Sequence, residues 1–164
     1  MVPQDGIRWP DHYNPSNTPI HVRNEISIPA PPEAVWAWLI RAPLWPNWYP
    51  NSANVKFLEG TPTDLALGTR FRWKTFGVTI ESKVNEFVPC ERLAWDAHAM
   101  GLDVYHAWLL TKTTGGCHLL TEETQHGWLA RLGAIFTPGR MYKLHQVWLE
   151  RLAEKAVSGP PAGP

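Results

Sequence analysis

Residues 92–125 read RLAWDAHAMGLDVYHAWLLTKTTGGCHLLTEETQ, three runs of alternating side chains separated by Met100-Gly101 and by a turn centred on Thr114-Gly115. A period of two describes half-buried strands, and a short glycine-containing connection closes an antiparallel hairpin. Loop position also sets register, because a slip of one residue would move every side chain to the other face. The first turn puts Trp95 opposite His106 and Leu93 opposite Trp108; the second puts Trp108 opposite Thr121 and His106 opposite Glu123. Both hairpins thus place the same residues on one face.

Working outward, the same reasoning at Phe76-Gly77 joins strands at 69–75 and 78–88 and pairs Trp73 with Ile80 and Phe71 with Ser82. One face of the sheet then carries Phe71, Trp73, Ile80, Val84, Leu93, Trp95, Ala97, Trp108, Leu110 and Leu119. The other carries Arg70, Arg72, Lys74, Glu81, Lys83, Asp96 and His98. Residues 22–28 alternate as well, with Val22, Asn24, Ile26 and Ile28 on one side, and a short strand is expected at 55–59, giving six or seven strands in all. Helical spacing appears at 31–41 behind two prolines, and residues 43–50 have room for a helical turn or two. A short helix is predicted at 128–136, and a longer one starts with Thr137 as cap and Pro138 in the first turn. Met141, Leu144, Trp148 and Leu152 form the apolar stripe of this last helix. A sheet with one apolar face must be covered, and that helix is the available cover. The fold class is α+β, a curved antiparallel sheet wrapped around a long C-terminal helix with an apolar cavity between them.

With 164 residues the chain has the size of one domain able to bury a core without metal or disulfide staples. The expected organisation is an extended arm over 1–21, the domain over 22–156 and a disordered Pro/Gly tail over 157–164. Ile7, Trp9 and Tyr13 lay the arm on the domain surface. Fifteen basic residues balance fifteen acidic ones, so no net field recruits nucleic acid. Cys90 and Cys117 lack any zinc or disulfide spacing and read as buried or half-buried thiols. No signal peptide and no membrane span is evident, which makes the cytoplasm the expected location. Ten tryptophans in so short a chain must fill a core or line a pocket.

Several segments carry a family likeness: Pro31-Pro32-Glu33-Ala34-Val35-Trp36, Trp45-Pro46-Asn47-Trp48-Tyr49-Pro50, Gly68 to Phe71, Arg92-Leu93-Ala94-Trp95, and Gly115-Gly116 leading into Thr121-Glu122-Glu123-Thr124. With this element order they resemble the SRPBCC superfamily of helix-grip proteins, which includes START lipid-transfer domains, aromatic polyketide cyclases and birch-pollen-allergen-like proteins. The likeness spans residues 22–156. It is nearest to the polyketide cyclase/dehydratase branch, whose strands often carry a His with Trp two residues on, as His106 and Trp108 do. The resemblance implies a cavity for a hydrophobic guest; many members bind or carry, and some catalyse cyclisation or dehydration by acid and base groups.

The polar residues that the register places on the covered face are His106, Glu123, Thr121 and Ser82, with Glu86 continuing the alternation. His106 and Glu123 are the candidate catalytic pair, the carboxylate orienting an imidazole that moves a proton. The alternative for the pair is a structural hydrogen bond satisfying a buried histidine. The candidate cavity lining is Phe71, Trp73, Ile80, Ser82, Val84, Trp95, Ala97, Trp108 and Thr121 from the sheet, and Met141, His145 and Trp148 from the last helix. His145, one turn before Trp148, also reads as a residue on the helix flank. Tyr105 faces outward, Glu122 and Asp96 read as solvated charges, and Arg70, Arg72 and Lys74 form a basic outer strand face able to solvate the sheet or meet an anionic partner. P-loop, GxGxxG, GxSxG and HExxH motifs are missing, so no cofactor and no metal is expected. The expected partner is a hydrophobic small molecule, polyketide-like, aromatic or lipid, with a homodimer as the oligomer to test. Three readings follow: an acid/base cyclase or dehydratase, a non-catalytic carrier of a hydrophobic metabolite or lipid, and an accessory protein that acts through its surface.

Overall fold

The computed structural model describes residues 6–163, so the first five residues of the arm and Pro164 lie outside it. Seven strands form one antiparallel sheet: β1 (Ile20–Ile28), β2 (Ala53–Phe57), β3 (Arg70–Thr75), β4 (Val78–Val88), β5 (Arg92–Ala99), β6 (Leu102–Thr113) and β7 (Gly116–His126). Their order is β1-β7-β6-β5-β4-β3-β2, a meander whose last strand closes on the first. Helix α1 (Pro32–Ile40) follows β1, and α2 (Trp128–Phe136) and α3 (Arg140–Ser158) follow β7. This is the α+β helix-grip arrangement.

The hairpin arithmetic holds in the register: Trp73 pairs with Ile80, Trp95 with His106, His106 with Glu123 and Trp108 with Thr121. Register shifts occur at two places, in β2 between Ala53 and Lys56 and in β4, and the second changes a site expectation. A bulge in β4 between Val84 and Glu86 inserts an extra residue and reverses facing beyond it. Glu86 therefore leaves the covered face and pairs with Arg8 of the arm at 3.0 Å, while Phe87 turns inward against Trp36.

The covered face packs against α3 and α1 around a cluster of indoles. The tract before β2 coils into a short 3₁₀ segment, Ala42–Asn47, because Pro43 and Pro46 fix the backbone there and Trp45 donates its indole N–H to the Leu39 carbonyl at 3.0 Å. That bond drives Trp45 into the core, where its ring meets Trp73, Trp95 and Trp148 at centroid distances of 5.2–5.7 Å. Asn24 of β1 fastens α3 to the sheet edge, donating to the Tyr142 carbonyl and to Gln146 at 3.1 Å each.

Helix α3 starts later than Thr137. Its cap is Gly139, in a left-handed conformation at φ 74°, while Thr137 closes α2 by donating its hydroxyl to the Gly133 carbonyl at 2.9 Å. The three residues 137–139 thus turn the chain between two helices. The buried stripe of α3 is His145, Trp148, Leu149, Leu152 and Ala156, rotated from the Met141 and Leu144 rows. The C-terminal residues differ from a free tail: α3 runs through Ser158, the Gly159 carbonyl accepts from Trp38 at 2.7 Å and the Ala162 carbonyl accepts from Arg41. An indole N–H and a guanidinium near α1 supply partners that composition does not show.

The outer face is only partly wet. The arm crosses it and buries Tyr13, Ala94, Tyr105 and Ala107 as a second small core, with Ile7 and Trp9 packed alongside. Tyr105 does point outward, but into that cover. Glu122, read as a solvated charge, is buried as well, held by His21 at 2.6 Å and Arg23 at 3.2 Å. On the exposed β3–β4 side the basic residues are neutralised locally: Arg70 meets Glu59 at 3.1 Å and Arg72 pairs with Glu81. Among the described residues no helix is long and apolar enough to cross a membrane.

Candidate functional site

Between the sheet and the two C-terminal helices lies a cavity of about 430 Å³, within the range that holds a small organic molecule. Trp73, Ile80, Trp95, Ala97 and Val104 form the sheet wall, α2 and the 137–139 turn form the roof, and Met141 and Trp148 look in from α3. Gly133, Thr137, Pro138 and Arg140 are exposed and mark the mouth, where the Arg140 guanidinium stands 5.6 Å from the centre of the Phe76 ring. His106, Glu123 and His145 mark the deep end, all three nearly inaccessible to solvent.

The deep end is built by two strands and a helix. β6 and β7 bring His106 and Glu123 face to face by register, with His106 Nδ1 at 3.0 Å from Glu123 Oε2. His145 comes from the buried stripe of α3, and its Nε2 lies 3.3 Å from the same oxygen. The two imidazoles stack at 4.9 Å between centroids and 25° between planes, with Trp108 stacked on His106 and the edge of Trp148 against both Trp108 and His106. Gln125 donates to Glu123 Oε1 at 2.6 Å and so fixes the other carboxylate oxygen.

Hydrogen bonding decides the tautomer of His106. Thr121 spends its one hydroxyl hydrogen on the Ala107 carbonyl at 3.1 Å, so it can only accept from His106 Nε2, 2.8 Å away. A neutral His106 then carries its lone pair on Nδ1 and presents it to a carboxylate oxygen. Two electron-rich atoms at 3.0 Å need a proton or another cation between them. Burial drives the His106 pKa down, against the pull of Glu123. Burial also opposes ionisation of Glu123, but the neighbouring His106 and His145 outweigh it and hold the carboxyl well below the usual range. His145 Nδ1 has no partner among the described residues, and its Nε2 has only the 3.3 Å contact with the Glu123 carboxylate.

Of the residues expected to line a cavity, Trp73, Ile80, Trp95, Ala97, His106, Glu123, Met141, His145 and Trp148 do so. Phe71, Ser82, Val84, Trp108 and Thr121 share the same face but sit outside the cavity wall in the solid part of the core. There Ser82 accepts the Trp73 indole N–H at 3.1 Å, and Thr121 supports His106. The reason is that Trp45 and α1 fill the far half of the sheet's concave face, leaving space only near the β3–β4 turn and α2. Val22, Val104 and Gln125 line the cavity too, and the alternation that exposed His106 and Glu123 contained that signal. The roof residues Leu129, Ala130 and Arg140 had no such signal, since only the tertiary path of α2 brings them there.

The geometry places this chain among known structures. A hypothetical protein from Helicobacter pylori is 35% identical and superposes with a TM-score of 0.87, over 95% of this chain and 99% of that one. The di-domain ARO/CYC StfQ from the steffimycin biosynthetic pathway shares the fold at 14% identity and a TM-score of 0.68; the match covers 85% of this chain and 51% of StfQ. Ara h 8.0201 shares it at 17% identity and a TM-score of 0.64, over 85% of this chain and 99% of its own. No curated protein matches. Residues 19–158 match the family described as polyketide cyclase / dehydrase and lipid transport, and the chain belongs to that family.

Proposed function

We propose that the protein binds a hydrophobic small molecule, polyketide-like or aromatic, in the cavity and moves a proton on it with the buried His106, Glu123 and His145 groups, in a cyclisation or dehydration that needs no organic cofactor. The observation that carries this reading is an apolar cavity whose innermost polar groups are an ionised carboxylate between two imidazoles. Structural ion pairs are usually paired out completely, whereas here His145, a side chain bordering the space a guest would fill, leaves its Nδ1 without a partner among the described residues.

The roles differ from a simple His106 base. Both nitrogens of His106 are occupied, one by Thr121 and one by Glu123, so His106 is a positioning residue that tunes the carboxylate. Glu123 and His145 meet the guest. The Glu123 carboxylate, aimed into the cavity, can take a proton from carbon next to a carbonyl, and His145 can carry it to a leaving hydroxyl.

One observation favours a second reading, a carrier without turnover. Trp128, Leu132, Ile135 and Phe136 of α2 are exposed beside the mouth, near Arg131, Arg140 and Lys143, and no acidic residue occurs from 127 to 149. Such a surface suits loading from a lipid layer, or burial in a homodimer. The test is to incubate wild type and Glu123→Gln with a cell metabolite extract and to follow bound and converted compounds by mass spectrometry. Conversion by wild type alone, with the substrate still retained by Glu123→Gln, is expected. Retention of one unchanged compound by both proteins would replace the enzyme with the carrier.

A further inference from the structure

The same deep end has a property that goes beyond proton transfer. His106, Glu123 and His145 form a group of three metal-capable side chains, and their ligand atoms all lie within 4.8 Å of one another. Two edges of this triangle, Nδ1 to Oε2 at 3.0 Å and Nε2 to Oε2 at 3.3 Å, match the roughly 3.3 Å that separates neighbouring ligands around a tetrahedral ion with bonds of about 2.0–2.1 Å. The third edge has to shorten, which a small rotation of His145 about its contact with Glu123 can supply, since its Nδ1 makes no hydrogen bond among the described residues.

Three further features fit an ion better than a salt bridge. The Thr121 hydrogen bond leaves the His106 lone pair directed at the carboxylate, and a cation between them resolves that contact. Thr121 then serves as the outer partner that metal-bound imidazoles regularly have, accepting the N–H opposite the metal, and Gln125 orients the carboxylate in the same way. All three side chains also border the cavity, so an ion bound by them on one side has its remaining positions turned towards a guest.

We propose that His106, Glu123 and His145 hold one divalent transition-metal ion, with Zn²⁺ and Fe²⁺ as the chemical class suited to two imidazoles and one carboxylate. Its open positions accept an oxygen donor of the guest, a carbonyl, enolate or phenolate. The earlier expectation of no metal rested on local spacing, and these ligands come from three separate elements that no short motif joins. The ion's presence is independent of turnover.

The experiment is chelator dialysis of the full chain followed by titration with Co²⁺ and Zn²⁺, read by elemental analysis and by the visible ligand-field absorption of bound Co²⁺. One ion per chain is expected, with Glu123→Gln and His145→Asn each weakening binding by about 100-fold or more, and Thr121→Val by about 10–100-fold. Circular dichroism of each variant confirms that it is folded. His12→Ala and His98→Ala, which alter the exposed histidines around Asp103, should leave uptake unchanged. Folded wild type that takes up no ion overturns the proposal, and so does uptake that survives Glu123→Gln but is lost in His98→Ala. Conversion of a compound by ion-free protein that takes up no metal would overturn the ion alone; stoichiometric uptake with no conversion would leave the ion and remove the acid/base reading.

Discussion

Glu122 and Glu123 are adjacent on β7, both buried, and face opposite sides of the sheet. Glu122 meets His21 and Arg23 of β1 on the outer face of the sheet. Glu123 meets two histidines that are themselves buried, one of them with no partner on its Nδ1 among the described residues, and borders a cavity. The outer carboxylate is balanced by a guanidinium that still reaches solvent, so nothing is left for a ligand to supply. The inner one is balanced by groups whose charge depends on a proton or an ion. Burial of a carboxylate is therefore not what marks a site; the mark is a partner set that stays incomplete until something enters.

The sharpest way to break this comparison is to neutralise each carboxylate in turn. Glu123→Gln should lower conversion of the guest by about 100-fold or more, the usual size of an acid/base contribution. Glu122→Gln should do the reverse, costing about 1–2 kcal/mol in urea unfolding without altering conversion, because its charged partner Arg23 can turn to water. If both variants lose stability and neither loses conversion, the two carboxylates are equivalent and the inner one is structural. Tyr13→Phe probes the outer face further: it removes the bond from Tyr13 to Asp103 at 2.6 Å, with an expected loss of about 1 kcal/mol and no effect on ligand retention.

The smallest effect is in pH. Burial holds the His106 pKa below the ordinary value of about 6.5, so on acidification the unfolded chain takes that proton first and stability falls as pH drops below about 6.5. Glu123 acts in the same sense at lower pH: its depressed pKa contributes stability above the unfolded carboxyl value of about 4.3 that is lost as the group protonates. Urea midpoints measured from pH 7 to 5 should therefore fall more steeply for wild type than for His106→Gln. Parallel slopes would mean that His106 is not the group resisting protonation.

Much of this was legible in strand residues. The pairs Trp95 with His106 and His106 with Glu123 follow from where glycine-containing turns sit, and a period of two leaves no freedom once one face is apolar. Glu86 was misplaced because a bulge has no reliable mark in a single sequence. Thr137 and Pro138 carried a helix-start pattern but serve a turn between two helices, where Gly139 alone can adopt the left-handed cap. His145 lay on a helix whose apolar rows, Met141 with Leu144 and His145 with Trp148, differ by a small rotation that amino-acid type does not resolve.

By itself the sequence determined the sheet, the register of three of its hairpins, the apolar face and the His106–Glu123 pair, because hydrogen-bonded ladders and side-chain alternation are local consequences of the chain. Only the tertiary structure decided where the concave face stays hollow, that the arm buries Tyr105, that β1 pairs Glu122 with His21 and Arg23, and that His145 completes the cluster. Those depend on how α1, α2, α3 and the Trp45 segment share the space above the sheet, a competition between bulky side chains far apart in sequence.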